Sequence, residues 1–344
     1  MRARLALLLA AMVLGACRFP PPRIDVPAEP PPEMIERGRY LADNVTICTT
    51  CHSERDWRYY GGPYVEETYG HGGEDFTELF LFPDGTRLES TNLTPSGVGD
   101  WSDRDLGRAI TGGIDPDGAM IFLMMPFYQY RYMARPDLEA LVAYLRTLPE
   151  HRSEVAEREL KYRVLDDVGW MFVAPPALQP DVPGEPRSAR RGKYLANLAS
   201  CRWCHTSTDV LGFPVPGTEW AGGMGFPVPE PGGGWVFSPN ITPDVETGIG
   251  RWTEDQFIAR FRASSRDAVH AAPLGNGGFN SPMAWSAYSG MSDDDLAAIY
   301  AFLMRRPKVR NDVPRWLPYR PKRKRSGVYD YDVQATEPLP GQEE

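Results

Sequence analysis

The 344-residue sequence lacks the short motifs that mark many enzymes. It holds no phosphate-cradling glycine loop, no nicotinamide fingerprint and no Ser-His-Asp set, so none of those chemistries is signalled. Positive charge is also in short supply: 37 basic against 46 acidic residues give a formal charge of −9. That excess argues against a nucleic-acid partner and favours a basic patch on another protein. Its N-terminal apolar run, Leu5 to Leu14, is too short to span a bilayer. Cysteine is scarce, with five residues, whereas Gly (33) and Pro (34) are plentiful. This balance favours small helical units wrapped in irregular connections over a continuous sheet. With 42% apolar residues, the length suits one large domain or two ordinary ones.

The start reads as a targeting segment. Arg2 and Arg4 precede the apolar run, which ends in Leu14-Gly15-Ala16-Cys17. This ending resembles the lipobox of bacterial lipoproteins, which implies cleavage after residue 16 and a lipid on Cys17. An ordinary signal peptide with a chance cysteine is the alternative. Residues 17–32 follow as a Pro-rich tether, since prolines fix φ and remove donors. At about 3.1 Å per residue, residues 18–32 reach roughly 45 Å.

The rest is one unit written twice. "RGRYLA" at 37–42 returns as "RGKYLA" at 191–196, and Cys48 returns as Cys201. "NLTP" at 92–95 returns as "NITP" at 240–243, and "GVGDWSD" at 97–103 as "GIGRWTE" at 248–254. "MARPDLEALVAYL" at 133–145 returns as "MSDDDLAAIYAFL" at 291–303, an offset of 158. Order is kept while spacing drifts, as loop insertions in two folded copies would produce. The expected organisation is a first unit over 33–150, a connector over 151–188, a second unit over 189–310 and a tail over 311–344. Each unit opens on a helix with a glycine inside it, Gly38 or Gly192, which implies close approach by another helix. Each closes on a periodic helix: Leu138, Leu141, Val142 and Leu145, then Leu296, Ile299, Tyr300 and Leu303. Ser292 with Asp295 reads as a capping box. Segments 80–88 and 221–237 read as short hairpins. The expected class is mainly α, with long loops and hairpin insertions.

Four cysteines form "CTTCH" at 48–52 and "CRWCH" at 201–205. On one helical turn, Cys(i), Cys(i+3) and His(i+4) share a side. Two thiols so placed suit thioether bonds to one haem, with the imidazole on its iron. The pattern thus assigns Cys48, Cys51, Cys201 and Cys204 to attachment of two haem c groups, and His52 and His205 to the irons. A Cys₄ zinc site would place its pairs about 15–20 residues apart. A thioredoxin-like motif or a local disulfide leaves both histidines unexplained.

The sixth iron ligand sets the chemistry, and a methionine opposite histidine suits electron transfer. Met120, Met124 and Met125 compete in the first copy, Met283 and Met291 in the second. Met125 and Met283 share the 158 offset, and each adjoins a proline. Core filling is the usual alternative for methionine. His71 reads as a surface residue in a Gly-rich insertion, and His151 as chemically silent. His270 is a weak candidate for a ligand or an acid/base. Trp101 and Trp252 stand at matched places, either against a haem edge or in the core. Asn92 and Asn240 are expected to fix their turns.

Together "RGRYLA…CTTCH", "NITPDVETGIGRWTEDQF", "NSPMAW…MSDDDLAAIYAFL" and "ELKYRVLDDVGWMF" resemble the cytochrome c subunits of bacterial membrane-bound alcohol, gluconate and aldehyde dehydrogenases. The resemblance covers roughly residues 33–310. It implies tandem cytochrome c-like domains, with His52/Met125 and His205/Met283 as axial pairs. It also implies an exported electron carrier on the periplasmic side of a membrane, receiving electrons from a dehydrogenase and passing them to a respiratory acceptor. That family usually has three haem domains; two motifs are present here, and "ASSRDAVHAAPLGNGG" departs from the usual short glycine loop. The competing reading is a di-haem redox enzyme, of peroxidase or thiosulfate-oxidising type, with His270 beside a modified second site. The basic cluster Arg320, Lys322, Arg323, Lys324 and Arg325 is either a docking patch or a solvated tail.

Overall fold

Capping residues set where the helices begin. In the computed structural model, which describes residues 20–77, 86–159, 174–209, 213–228, 233–275, 278–324, 326 and 328–334, every long helix starts at a proline or a hydroxyl cap. Residues 1–16, Cys17, Arg325 and the connector's "KYRVLDDVGWMF" lie outside the described residues, as does most of 80–88. Among the described residues no helix is long and apolar enough to cross a membrane.

Helix α1 (Pro32–Tyr40) runs into a π-helical turn over Leu41–Val45 and is followed by the single turn α2 (Cys48–Cys51). α3 (Asp103–Gly112) starts with a full capping box between Ser102 and Asp105 and ends at Gly113 in the left-handed region (φ 69°). α4 (Phe127–Tyr130) and α5 (Arg135–Leu145, with Pro136 in its first turn) complete this half. The second half repeats the series: α6 (Ala189–Leu198), α7 (Cys201–Cys204), α8 (Glu254–Arg262), an additional α9 (Arg266–His270), α10 (Trp285–Tyr288) and α11 (Asp293–Leu303).

The glycines inside α1 and α6 let helix backbones touch. A Cβ on Gly38 would fall 1.9 Å from the Ala140 carbonyl oxygen on α5. A Cβ on Gly192 would fall 1.8 Å from that of Ala298 on α11. Leu138, Leu141, Leu296 and Leu303 are buried beneath these crossings. One apolar core runs through both halves, joining Leu41, Leu138 and Leu141 to Leu195, Leu296 and Phe302.

Polar contacts cross the boundary reciprocally. Asp137 on α5 pairs with Arg37 through two hydrogen bonds (2.8 and 2.9 Å) and accepts from Tyr194 Oη of the other half (2.6 Å). Asp295 on α11 pairs with Arg191 (3.1 Å) and accepts from Tyr40 Oη (2.7 Å). This explains why the expected Ser292–Asp295 box is half formed. Ser292 Oγ accepts from the Asp295 N–H at 3.2 Å, but the carboxylate is turned to Arg191 and Tyr40.

Three segments depart from a linker or tail reading. Pro22 and Ile24 of the tether pack against Gly107 on α3. In the connector, the Ala177 and Gln179 N–H groups donate to the Arg131 and Met133 carbonyls, since the non-proline residues keep their donors. Beyond residue 310, β3 (Trp316–Leu317) extends the antiparallel pair β1 (Gly225–Pro227) and β2 (Trp235–Phe237), and β4 (Pro321–Arg323) pairs with β5 (Tyr329–Gln334). Tyr329 and Tyr331 meet Phe237 edge to face, with ring centroids 5.4 and 5.0 Å away. Arg320 lies over Trp235, and Arg323 donates to the Asp209 carbonyl (3.0 Å). These described basic residues are therefore held to the second half and do not form a free tail.

Candidate functional site

Each cysteine turn starts from a strained residue. Ile47 (φ 49°) and Ser200 (φ 54°) occupy the left-handed region, which non-glycine residues rarely adopt. Their matched positions aim α2 and α7 alike. The following histidine closes the turn: the N–H of His52 donates to the Cys48 carbonyl (2.8 Å), and that of His205 to Cys201 (3.0 Å).

Both imidazoles are then fixed in one tautomer. His52 Nδ1 lies 2.7 Å from the Thr91 carbonyl and His205 Nδ1 2.9 Å from that of Pro239. A carbonyl only accepts, so Nδ1 carries the proton and Nε2 presents a lone pair. Burial lowers the pKa of both rings, which keeps them neutral. The histidine carbonyls accept from Gly72 and Gly222 N–H, each at 2.9 Å. Asn92 and Asn240 build the supporting turns: each Oδ1 accepts from the N–H and hydroxyl of the threonine two residues on, at 2.7–2.9 Å.

The four thiols are unbridged. Burial pushes Cys51 up to about 11 and Cys48, Cys201 and Cys204 up to about 12. They stay protonated at neutral pH, unlike the low-pKa thiol of a redox Cys-x-x-Cys. Among the described residues, no three His, Cys, Asp or Glu side chains gather as a metal-binding group.

The walls are largely apolar, apart from Arg55 and the buried Glu74, whose charges act on Cys51. Cys51 packs with Phe76, Leu88 and Phe122, beside Trp57 and Met124. Cys204 packs with Phe226, Val228 and Val236, beside Met224 and Phe279. Sequence reasoning missed a matched pair of tyrosines, although the 158 offset aligns them. Tyr130 Oη donates to the Thr46 carbonyl (3.0 Å) and Tyr288 Oη to that of Ala199 (2.9 Å), each two residues before a cysteine pair. This chemistry fits a c-type haem at each site: two neutral thiols, one orientable imidazole nitrogen and an aromatic lining.

Met125 and Met283 occupy equivalent half-buried turns. Each carbonyl accepts from the N–H two residues on, Phe127 (2.8 Å) and Trp285 (2.7 Å). Met120 and Met291, by contrast, are buried core side chains, and Met124 belongs to the wall beside Cys51. The expectation of a surface His71 needs correction: it is buried, its ring stacked on His151 with centroids 3.2 Å apart. His270 is exposed on α9, its Nδ1 bonded to the Arg266 carbonyl of its own helix (2.9 Å). Trp101 packs on the core, whereas Trp252 is 36% exposed.

A fold of helices and long connections around paired Cys-x-x-Cys-His turns has the features of a c-type cytochrome. The chain resembles cytochrome c subunits of bacterial dehydrogenases. It is 29% identical over 297 residues to the cytochrome c subunit of a quinone-type alcohol dehydrogenase from Gluconobacter oxydans, covering 80% of this chain and 55% of that protein. It is 28% identical over 312 residues to the gluconate 2-dehydrogenase cytochrome c subunit of Pantoea cypripedii, covering 86% and 64%. A diheme cytochrome c-type protein of Cereibacter sphaeroides is 28% identical over 276 residues, covering 76% and 82%. The chain thus spans little more than half the length of the first of these relatives. No protein-family model matches it.

Proposed function

We propose that this chain is an exported, lipid-anchored di-haem cytochrome c built as two tandem cytochrome c-like domains. It carries electrons from a dehydrogenase to a downstream respiratory acceptor on the periplasmic side of a bacterial membrane. Cys48 and Cys51 hold one haem and Cys201 and Cys204 the other. His52 with Met125, and His205 with Met283, supply the axial ligands, and Cys17 carries the lipid. The observation that carries this reading is the repeated imidazole geometry, with Nδ1 tied to the Thr91 or Pro239 carbonyl. Bound haem supplies a one-electron Fe(III)/Fe(II) couple. The residues hold each imidazole in place and exclude water with an aromatic wall. Similarity to dehydrogenase cytochrome subunits supports a dehydrogenase donor. The test is the mass and spectrum of the protein purified from membranes. Two covalent haems, a lipidated N-terminus and two low-spin ferric signals are expected; a colourless polypeptide would refute the proposal.

A further inference from the structure

The two methionine turns are equivalent in their own backbone but anchored differently. In the first half, the approach to Met125 is tied within its own half. The Ile121 N–H donates to the Gly113 carbonyl (2.8 Å), Ile114 bridges Met120, and the Met125 N–H donates to Phe122 (3.0 Å). In the second half, Met283 follows the divergent stretch after Arg262; its N–H donates to Ser281 Oγ of the same half (3.3 Å), but the residues just before it are anchored from the other half. Asn280, with no solvent exposure, accepts from the Gly61 N–H (2.9 Å) and donates to the Trp57 carbonyl (3.0 Å). Arg55 donates to the Gly61 and Gly62 carbonyls (2.5 and 2.7 Å) and reaches the Pro282 carbonyl at 3.4 Å. Its guanidinium also lies over the Trp57 ring, 4.0 Å from the centroid. A Cβ on Gly61 would sit 3.0 Å from the Met283 carbonyl oxygen.

The same strap grips the surrounding segment. The Leu274 N–H donates to the Arg58 carbonyl (2.8 Å), Arg260 donates to Tyr60 Oη (3.1 Å), and Arg266 donates to the Tyr64 carbonyl (3.0 Å). A buried Asn with both amide functions paired to backbone defines one loop position, because displacement leaves polar groups unpaired. The Thr208 region, which matches Arg55 in the second half, is instead engaged by Arg323.

We propose that Arg55 and Asn280 are positioning residues that make the loop over 54–64, directly after His52, a splint for the Met283 turn of the opposite half. The inference rests on the reading of Met283 as an axial ligand. Its consequence runs against sequence distance: substituting Arg55, three residues after His52, alters the other haem.

The test uses the full-length, two-haem ferric protein. Uptake of added imidazole and the methionine–iron charge-transfer absorption are followed, with Met125→Ala and Met283→Ala assigning each haem's phase. Arg55→Gln and Asn280→Asp should each speed imidazole uptake at the second haem by about tenfold, the scale of losing one or two hydrogen bonds that hold the loop. The first haem's rate should stay unchanged. If Met283→Ala abolishes its share of the charge-transfer band while both variants keep the wild-type rate at the second haem, the splint is refuted and the ligand assignment stands. If Met283→Ala leaves that band intact, the ligand assignment itself fails. If Asn280→Asp loads fewer than two haems, Arg55→Gln decides. A uniform acceleration at both haems would mean general loosening and would overturn the proposal.

Discussion

Tyr40 Oη donates to Asp295 Oδ2 at 2.7 Å, joining the first helix of one half to the last helix of the other. Its counterpart, Tyr194 to Asp137 at 2.6 Å, does the same in reverse. Asp137 is 2% exposed and carries three of these bonds. Tyr194→Phe should cost about 1–3 kcal/mol: Arg37 still satisfies the carboxylate, but the buried Ala134 N–H, which donates to Tyr194 Oη at 3.1 Å, loses its acceptor. Asp137→Ala should cost about 3–5 kcal/mol, because it strands Arg37. Urea unfolding of the haem-loaded protein, compared at constant m-value, checks both.

Gly38→Ala and Gly192→Ala would normally gain about 1 kcal/mol of helix propensity. Here the new methyl carbon would fall within 2 Å of a carbonyl oxygen on the facing helix. Each substitution should therefore destabilise the protein by about 1–3 kcal/mol or more and reduce the yield of fully haem-loaded chain. Thermal unfolding and the haem-to-protein ratio read the outcome.

On the proposed ligation, replacing Met125 or Met283 by Ala removes a thioether that favours reduced iron. The potential of that haem alone should fall on the order of 0.1 V, a fraction of the roughly 0.8 V that axial ligands command. A potentiometric titration resolving two components measures this, and an unshifted component would show the wrong methionine was chosen.

His71 has its pKa lowered, first by burial and then by the neighbouring His151 ring. The unfolded chain therefore binds the extra proton more readily, so stability is full above about pH 6.5 and declines as pH falls below it. Melting temperatures between pH 7.5 and pH 5 should show this decline, and His71→Gln should flatten it.

The paired turns are legible in the sequence because they recur. Cys48 and Cys201, or Met125 and Met283, select each other by offset, and periodic leucines mark α5 and α11. Gly38 and Gly192 announced helix contact because a mid-helix glycine is otherwise a cost. Other features were hidden for physical reasons. The burial of His71 depends on His151, eighty residues away in sequence, and local composition carries no trace of that stack. Asp295 looked like a local cap because its partners, Arg191 and Tyr40, are distant in sequence. Tyr329 and Tyr331 turn an apparently charged tail into β5 through contact with Phe237, which a reading of charge alone cannot find.

The reciprocal tyrosine–aspartate contacts have a further consequence. A patch in which residue i meets j and j meets i is self-complementary, the signature of a two-fold dimer. Here both protomer equivalents lie on one polypeptide, so their association is governed by effective molarity and not by how much protein is present. Dilution cannot separate the two Cys-x-x-Cys-His turns, and their one-to-one stoichiometry is inherited with every copy synthesised.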